Sequence, residues 1–371
     1  RGDNMFSDID TPSLIVNIEK VKRNLKSMAD YTKASRCNLR PHVKTHKIPE
    51  LAKLQLEYGA TGITCAKLSE AEVMADAGIS DIFIAYPVVG AKKIERVVNL
   101  ASRIRLIVGV DSEEGALALS EAAQKEGITL EVRMEIDIGL KRTGVPYEKA
   151  VSFGKWLNGL PGISLTGIYA YRGLISKNDG ADEGNLSGRQ EGEELYQVAK
   201  RLRDGGINIR DVSGGSTPTG RYVAKVKGIT EIRPGTYIFN DMMQVKNKTV
   251  SIEDCAASVL VTVVSTPCDE YAVIDGGSKA FSTDIPLKTA PYFFDGYGSI
   301  VGNDDLVFKT LYEEHGIVVS RSGKTGLKPG DRLLIIPNHI CPTVNLYNHV
   351  YFLKEDGKLR KVYMEARGKL Y

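Results

Sequence analysis

The chain has 371 residues, 42% of them hydrophobic and 26% charged, which is the balance of a soluble globular protein long enough for two cores. Its 49 basic and 46 acidic residues leave a formal charge of +3 with no long basic block, so neither nucleic acid nor a membrane surface is indicated as a partner. No apolar run reaches transmembrane length, and five scattered cysteines without a CxxC point to a reduced, cytoplasmic protein.

The opening Arg1-Gly2-Asp3-Asn4 lacks the hydrophobic core of a signal peptide and reads as a vector remnant before Met5. Residues 11–17 read as a strand, with Pro12 at its start, where a missing N–H is tolerated. Apolar spacing then predicts a helix over 18–31. From residue 37 the chain alternates. Strands are predicted at 37–40, 62–66, 81–86, 104–110, 130–137, 165–171 and 209–213. Helices are predicted after Ile48, over 68–77 with Gly78 as terminator, over 91–101, after the N-cap candidate Ser112, over 146–157 and over 188–204. About eight strand candidates between residues 38 and 240 suit a (β/α)8 TIM-type barrel better than an open doubly wound sheet. No GxGxxG follows the first strand, so a dinucleotide fold has no specific support. Near Lys248 the texture changes to β-branched runs between turn signals, a mainly β domain ending in a hairpin about Lys354-Glu355-Asp356-Gly357-Lys358.

Four stretches carry chemistry. Arg40-Pro41-His42-Val43-Lys44-Thr45-His46-Lys47 follows the first barrel strand, where a parallel barrel places its reactive groups. A solvated basic loop is the plain alternative; a lysine among cations and imidazoles also suits Schiff-base chemistry once its pKa is lowered. Ser213-Gly214-Gly215-Ser216-Thr217-Pro218-Thr219-Gly220 and Arg233-Pro234-Gly235-Thr236-Tyr237 are late loops whose glycines and hydroxyls suit a phosphate. A carbonyl-binding lysine plus a phosphate loop suggests pyridoxal phosphate. Finally, His339 and Cys341 in Pro337-Asn338-His339-Ile340-Cys341-Pro342-Thr343 sit at i and i+2. On an extended segment they face one side and form half of a zinc site. Two protein ligands make sense only for a catalytic metal with open positions; otherwise the pair is packing.

Together with Glu231-Ile232-Arg233-Pro234-Gly235-Thr236-Tyr237, Asp275-Gly276-Gly277-Ser278-Lys279 and Glu313-Glu314-His315-Gly316, these stretches resemble the D-serine dehydratase / D-threonine aldolase family of alanine-racemase-like, fold type III pyridoxal-phosphate enzymes. The likeness runs in order from about Asp8 to the C-terminus. It implies a cofactor-binding barrel over 20–245 and a C-terminal β domain over 246–371 joined by the N-terminal strand 8–19. It also implies a homodimer whose sites are shared between subunits. Lys44 is then the Schiff-base lysine. Ser216, Thr217, Gly235 and Thr236 hold the phosphate, Arg142 lies near the phenolic oxygen, Tyr171 lines the pocket and Arg233 faces the pyridine nitrogen. His42 joins Lys44 and Tyr171 as a catalytic candidate, tuning the lysine or steering the substrate carboxylate. Arg40 and His46 are expected in the same supporting role, and Lys47 is expected in solvent. His339 and Cys341 bind the divalent metal. The family's aldolases typically carry His-x-Asp there and its dehydratases His-x-Cys, and the softer thiolate favours Zn2+ over Mn2+ or Mg2+. The expected activity is dehydration of a D-3-hydroxyamino acid (D-serine, D-threonine or 3-hydroxyaspartate). A D-threonine aldolase is the alternative and a metal-free racemase a third reading. A PLP-carrying protein without the β domain is disfavoured by the 100-odd residues that follow the barrel.

Overall fold

The computed structural model describes residues 5–174 and 183–371, so the expected vector remnant lies outside the described residues. The chain forms two compact units. One takes residues 27–174, 183–235 and 368–371; the other takes 5–26 and 236–367.

The first unit is a parallel barrel. Among the described residues its eight strands are Asn38–Leu39, Ile63–Cys65, Asp81–Pro87, Arg105–Val110, Leu130–Asp137, Ile163–Tyr169, Asp211–Gly214 and Glu231–Ile232. They lie in chain order, and the last returns to pair with the first. The ring closes at a parallel bridge between His42 and Thr64. There the Thr64 N–H donates to the Pro41 carbonyl at 2.8 Å and the Thr64 hydroxyl to the Arg40 carbonyl at 2.9 Å. Crossover helices follow the predicted signals. Ala91–Ala101 buries Ile94, Val97, Val98 and Leu100 on one face, and Glu113–Lys125 is capped by the Ser112 hydroxyl. The helix expected over 188–204 spans Glu183–Asp204.

Inside the ring, Phe83, Ile107 and Tyr169 pack as an apolar cluster, with Phe83 and Tyr169 edge to face at 5.0 Å. The interior also holds charge. The Glu231 carboxylate accepts from Arg40 Nε at 2.7 Å, Arg133 Nη1 at 2.6 Å and Ser213 Oγ at 2.6 Å. Arg40 continues to Asp81 at 2.5 Å and Arg133 to Asp211 at 3.1 Å. Arg40, Arg133 and Glu231 are each no more than 2% exposed. Burial alone would raise the Glu231 carboxyl pKa; the two guanidiniums outweigh it and hold the group well below the usual carboxylate range.

The second unit is a mixed sheet. Its path runs Leu306–Leu311, Gly316–Ser320, Tyr271–Ile274, Ala257–Cys268, Ser13–Asn17, His349–Leu353 and Leu359–Tyr363. Arg332–Pro337 pairs with both Ala257–Cys268 and Gly298–Ile300. Ser13–Asn17 runs antiparallel to Ala257–Cys268 and parallel to His349–Leu353. The hairpin turn expected at 354–358 is closed by the Lys354 N–H on the Lys358 carbonyl at 3.0 Å. Two strands, Gly298–Ile300 and Leu306–Leu311, were not predicted. Both are short and flanked by glycine, aspartate and asparagine, which read as turns.

Glu231→Ala strands two buried guanidiniums, so urea unfolding should show a loss of about 3–5 kcal/mol; an unchanged midpoint would refute this account. Because the native carboxyl pKa is depressed, this stabilisation is complete above the unfolded value of 4.5 and is lost as pH falls toward the native value.

Candidate active site and metal pair

Lys44 lies in a single 3-10 turn, Val43–Thr45, immediately past the ring-closing residue His42. The His42 Nδ1 accepts the Lys44 backbone N–H at 3.4 Å, which leaves the ring proton on Nε2. Burial, and then the charges of Lys44, Arg233, Lys47 and Arg142, push the His42 pKa well below its ordinary value, so the imidazole is neutral. Lys44 itself is exposed.

Three expectations for this octamer need correction. Lys47 is not in solvent: it is 6% exposed, has φ +57°, and its ammonium pairs with Glu70 at 2.8 Å. The chain turns inward after Lys44, and Glu70, whose other oxygen takes the Ala66 N–H at 2.6 Å, provides a buried counter-charge. Arg40 does not support Lys44, because its guanidinium is engaged by Glu231 and Asp81. His46 is structural: its Nδ1 accepts the Ile48 N–H at 3.0 Å, its Nε2 pairs with Gln55 at 3.2 Å, and burial lowers its pKa to about 4.

The two glycine loops meet different demands. Gly215 has φ +77°, and a Cβ there would fall 2.8 Å from Gly220 Cα, so the turn closes tightly on the short helix Gly220–Val223. Thr219 Oγ1 accepts the Ser216 N–H at 2.9 Å and pairs with the Ser216 hydroxyl at 2.8 Å. Thr217 is buried beside them. A Cβ on Gly235 would lie 3.1 Å from both the His42 carbonyl and Thr45 Oγ1, so this loop presses on the lysine turn. Arg233 is buried, donating to Ser213 Oγ at 2.6 Å and the Ala170 carbonyl at 2.8 Å. Arg142 is exposed and stacks over the Tyr171 ring at 5.0 Å, past the end of strand Ile163–Tyr169. Its neighbour Thr143 is tied to Glu135 at 2.9 Å, whose other oxygen takes the Tyr169 hydroxyl at 3.1 Å.

In the other unit, His339 and Cys341 are brought into side-chain contact, though not by a strand. His339 is the extended N-cap of the short helix Ile340–Val344, and Cys341 lies in its first turn. Burial would lower the His339 pKa, but Asp284 at 2.6 Å from its Nδ1, together with the Cys341 sulfur, raises it to about 10. Burial opposes ionisation of Cys341; the His339 contact prevails and lowers the thiol pKa. Thr236 Oγ1 lies 3.5 Å from the same sulfur. Asp241 holds the pair's backbone: one oxygen caps helix Met242–Lys246 at Gln244 N, the other accepts the Ile340 N–H at 3.0 Å.

The structure thus gathers His42, Lys44, Arg142, Tyr171, Ser216, Thr217, Arg233 and Gly235 in the barrel unit, and Thr236, His339 and Cys341 in the β unit. Bare glycine backbone at a tight turn, hydroxyls beside it, an exposed lysine and surrounding cations fit a phosphorylated carbonyl cofactor such as pyridoxal phosphate. An imidazole touching an acidified thiol fits a divalent metal. Among the described residues no group of three or more His, Cys, Asp or Glu is placed to hold one, so water or substrate oxygens would complete the shell. Sequence reasoning missed Asp284, Asp241 and Glu135. Asp284 and Asp241 reach His339 and Ile340 across 55 and 99 positions, and Glu135 reaches Tyr169 across 34, separations that no local pattern reveals.

Residues 16–242 match the alanine racemase N-terminal domain family, and residues 256–353 match a putative serine dehydratase domain. The chain is 31% identical to the D-threonine aldolase of Arthrobacter sp, over 97% of this chain and 93% of that one. It is also 31% identical to the D-threo-3-hydroxyaspartate dehydratase of Delftia sp. strain HT23, over 95% and 96%. A solved cysteine-to-alanine variant of D-threo-3-hydroxyaspartate dehydratase, in its metal-free form, superposes with a TM-score of 0.89 at 30% identity, covering 96% of this chain and 98% of that one. No helix of the described residues is long and apolar enough to cross a membrane.

Asp284 fixes the ring orientation of His339, so Asp284→Ala should weaken divalent-cation binding by about 10–100-fold in competition with a chromophoric chelator. Affinity within twofold of the parent would remove Asp284 from the site.

Proposed function

The chain belongs to the alanine racemase N-terminal domain family, with a putative serine dehydratase domain behind it, and from that premise we propose that it is a pyridoxal-phosphate- and divalent-metal-dependent lyase that dehydrates D-3-hydroxyamino acids, such as D-serine, D-threonine or 3-hydroxyaspartate, to a 2-oxo acid and ammonia. The observation that carries the dehydratase reading is the His339–Cys341 contact, an acidified thiol where an aldolase of this kind typically has a carboxylate. The thiolate favours Zn2+ among divalent cations.

The residues take the following roles. Bound pyridoxal phosphate supplies the electron sink for the pair released at the substrate Cα. A cation on His339 and Cys341 supplies Lewis acidity toward the β-hydroxyl. Lys44 would hold the cofactor's carbonyl carbon, and its amine would take the Cα proton of a bound substrate. Its neighbour His42 is neutral and adds no repulsion to the protonated lysine. Ser216, Thr217, Gly235 and Thr236 would hold the phosphate, and Arg142, stacked on Tyr171, and Arg233, anchored on Ser213 and Ala170, would hold the ring. The hydroxyl would leave Cβ as water with the proton that Lys44 takes from Cα, and the enamine left would tautomerise and hydrolyse to the 2-oxo acid and ammonia. The working form is a cytoplasmic homodimer whose partner completes each site.

The 31% identity to a D-threonine aldolase favours a second reading with the same parts, in which the cation assists deprotonation of the β-hydroxyl and Cα–Cβ cleavage gives glycine and an aldehyde. A racemase, which needs no metal, ranks third.

One assay separates these readings. With D-serine and D-threonine, pyruvate and 2-oxobutanoate should form, EDTA should abolish the activity and Zn2+ should restore it. Glycine and acetaldehyde without oxo acid would replace the dehydratase with the aldolase; EDTA-insensitive inversion at Cα would make it a racemase. Lys44→Ala should lower kcat by about 10²–10⁴-fold.

A further inference from the structure

Glu191 has no part in the roles above, yet it is a fully buried carboxyl, on helix Glu183–Asp204, directly behind the glycine pair. Its Oε1 accepts the Gly215 N–H at 2.6 Å. The Arg172 backbone N–H also acts on this carboxyl. The sequence makes room for it: a Cβ on Gly214 would stand 2.9 Å from Glu191 Oε1. The two glycines therefore do different work. Gly214 is small so that the carboxyl and Leu195, whose Cδ1 would also stand 2.9 Å from a Cβ, can approach; Gly215 is glycine because its φ is +77° and a Cβ would meet Gly220. From Gly215 onward the turn is tied by Thr219 to Ser216 and by the Gly220 N–H to the Ser216 carbonyl at 2.7 Å. Burial raises the carboxyl pKa to about 7, against the pull of the Gly215 N–H, the Arg233 charge and the backbone N–H and charge of Arg172. A carboxyl is costly to bury at this depth, and what it holds in place is the backbone of the glycine turn.

We propose that Glu191 is a positioning residue for the cofactor's phosphate: by holding the Gly215 N–H from behind, it fixes the turn from which Ser216 and Thr217 extend, so phosphate affinity depends on a side chain bonded to the loop and not to the ligand. The inference rests on reading this loop as the phosphate site.

The test is a comparison of two ligands on the full-length apo-protein. Pyridoxal phosphate and pyridoxal share ring and aldehyde and differ only in the phosphate. Their Kd values are measured by visible absorbance for the parent chain, Glu191→Ala, Glu191→Gln and Gly214→Ala. The parent should bind pyridoxal phosphate far more tightly than pyridoxal. Glu191→Ala should weaken pyridoxal phosphate on the order of tenfold while pyridoxal stays within twofold. Gly214→Ala, whose new Cβ displaces the carboxyl, should show the same selective loss if Glu191→Ala does not fold. Glu191→Gln keeps an acceptor for Gly215 and should recover most of the affinity. Equal weakening of both ligands, or of neither, overturns the proposal. A parent that binds both ligands equally well shows instead that the loop is not the phosphate site, and the proposal falls with that reading.

Discussion

A carboxylate locked between two guanidiniums inside a closed ring of strands is the constraint on which the barrel unit depends. Glu231 comes from the last strand, Arg40 follows the first, and Arg133 lies on the strand Leu130–Asp137 between them. Removing any one leaves a buried charge short of its partner, which makes the set strongly interdependent even where its net contribution over an apolar core is small. The network also reaches the site. Ser213 donates to Glu231 and accepts from Arg233, so the orientation of Arg233 is inherited from the core.

Much of this was legible in the sequence, for identifiable reasons. Parallel strands buried on both faces read as unbroken apolar runs, and crossover helices carry their own punctuation in Ser112 and Gly78. The place of Lys44 in the fold was legible because a strand, a basic turn and a helix follow one another within a few residues. Lys47 was not, since its partner Glu70 lies 23 positions away and nothing local tells an ammonium whether it will find a buried carboxylate. Arg40 failed in the same way, its charge met by Asp81 and Glu231. His339 and Cys341 were paired for an extended geometry, whereas the contact comes from a cap and the first helical turn. Either conformation joins positions two apart, so the pairing survived a wrong local structure.

The supporting carboxyls form a pattern of their own. Glu191 holds a backbone N–H of the glycine turn, Asp241 a backbone N–H beside His339, and Asp284 an imidazole nitrogen. Each lies behind a residue with an expected chemical role and fixes it through one or two hydrogen bonds. Their protonation balances differ: burial raises Glu191 and Asp241, to about 7 and about 6, whereas the bond to His339 overcomes burial and lowers Asp284.

The bridge between His42 and Thr64 joins two duties in one residue. The backbone of His42 closes the barrel seam, while its side chain receives the Lys44 N–H. The barrel seam and the lysine turn therefore share one residue, and a substitution that displaces the His42 backbone would disturb both at once.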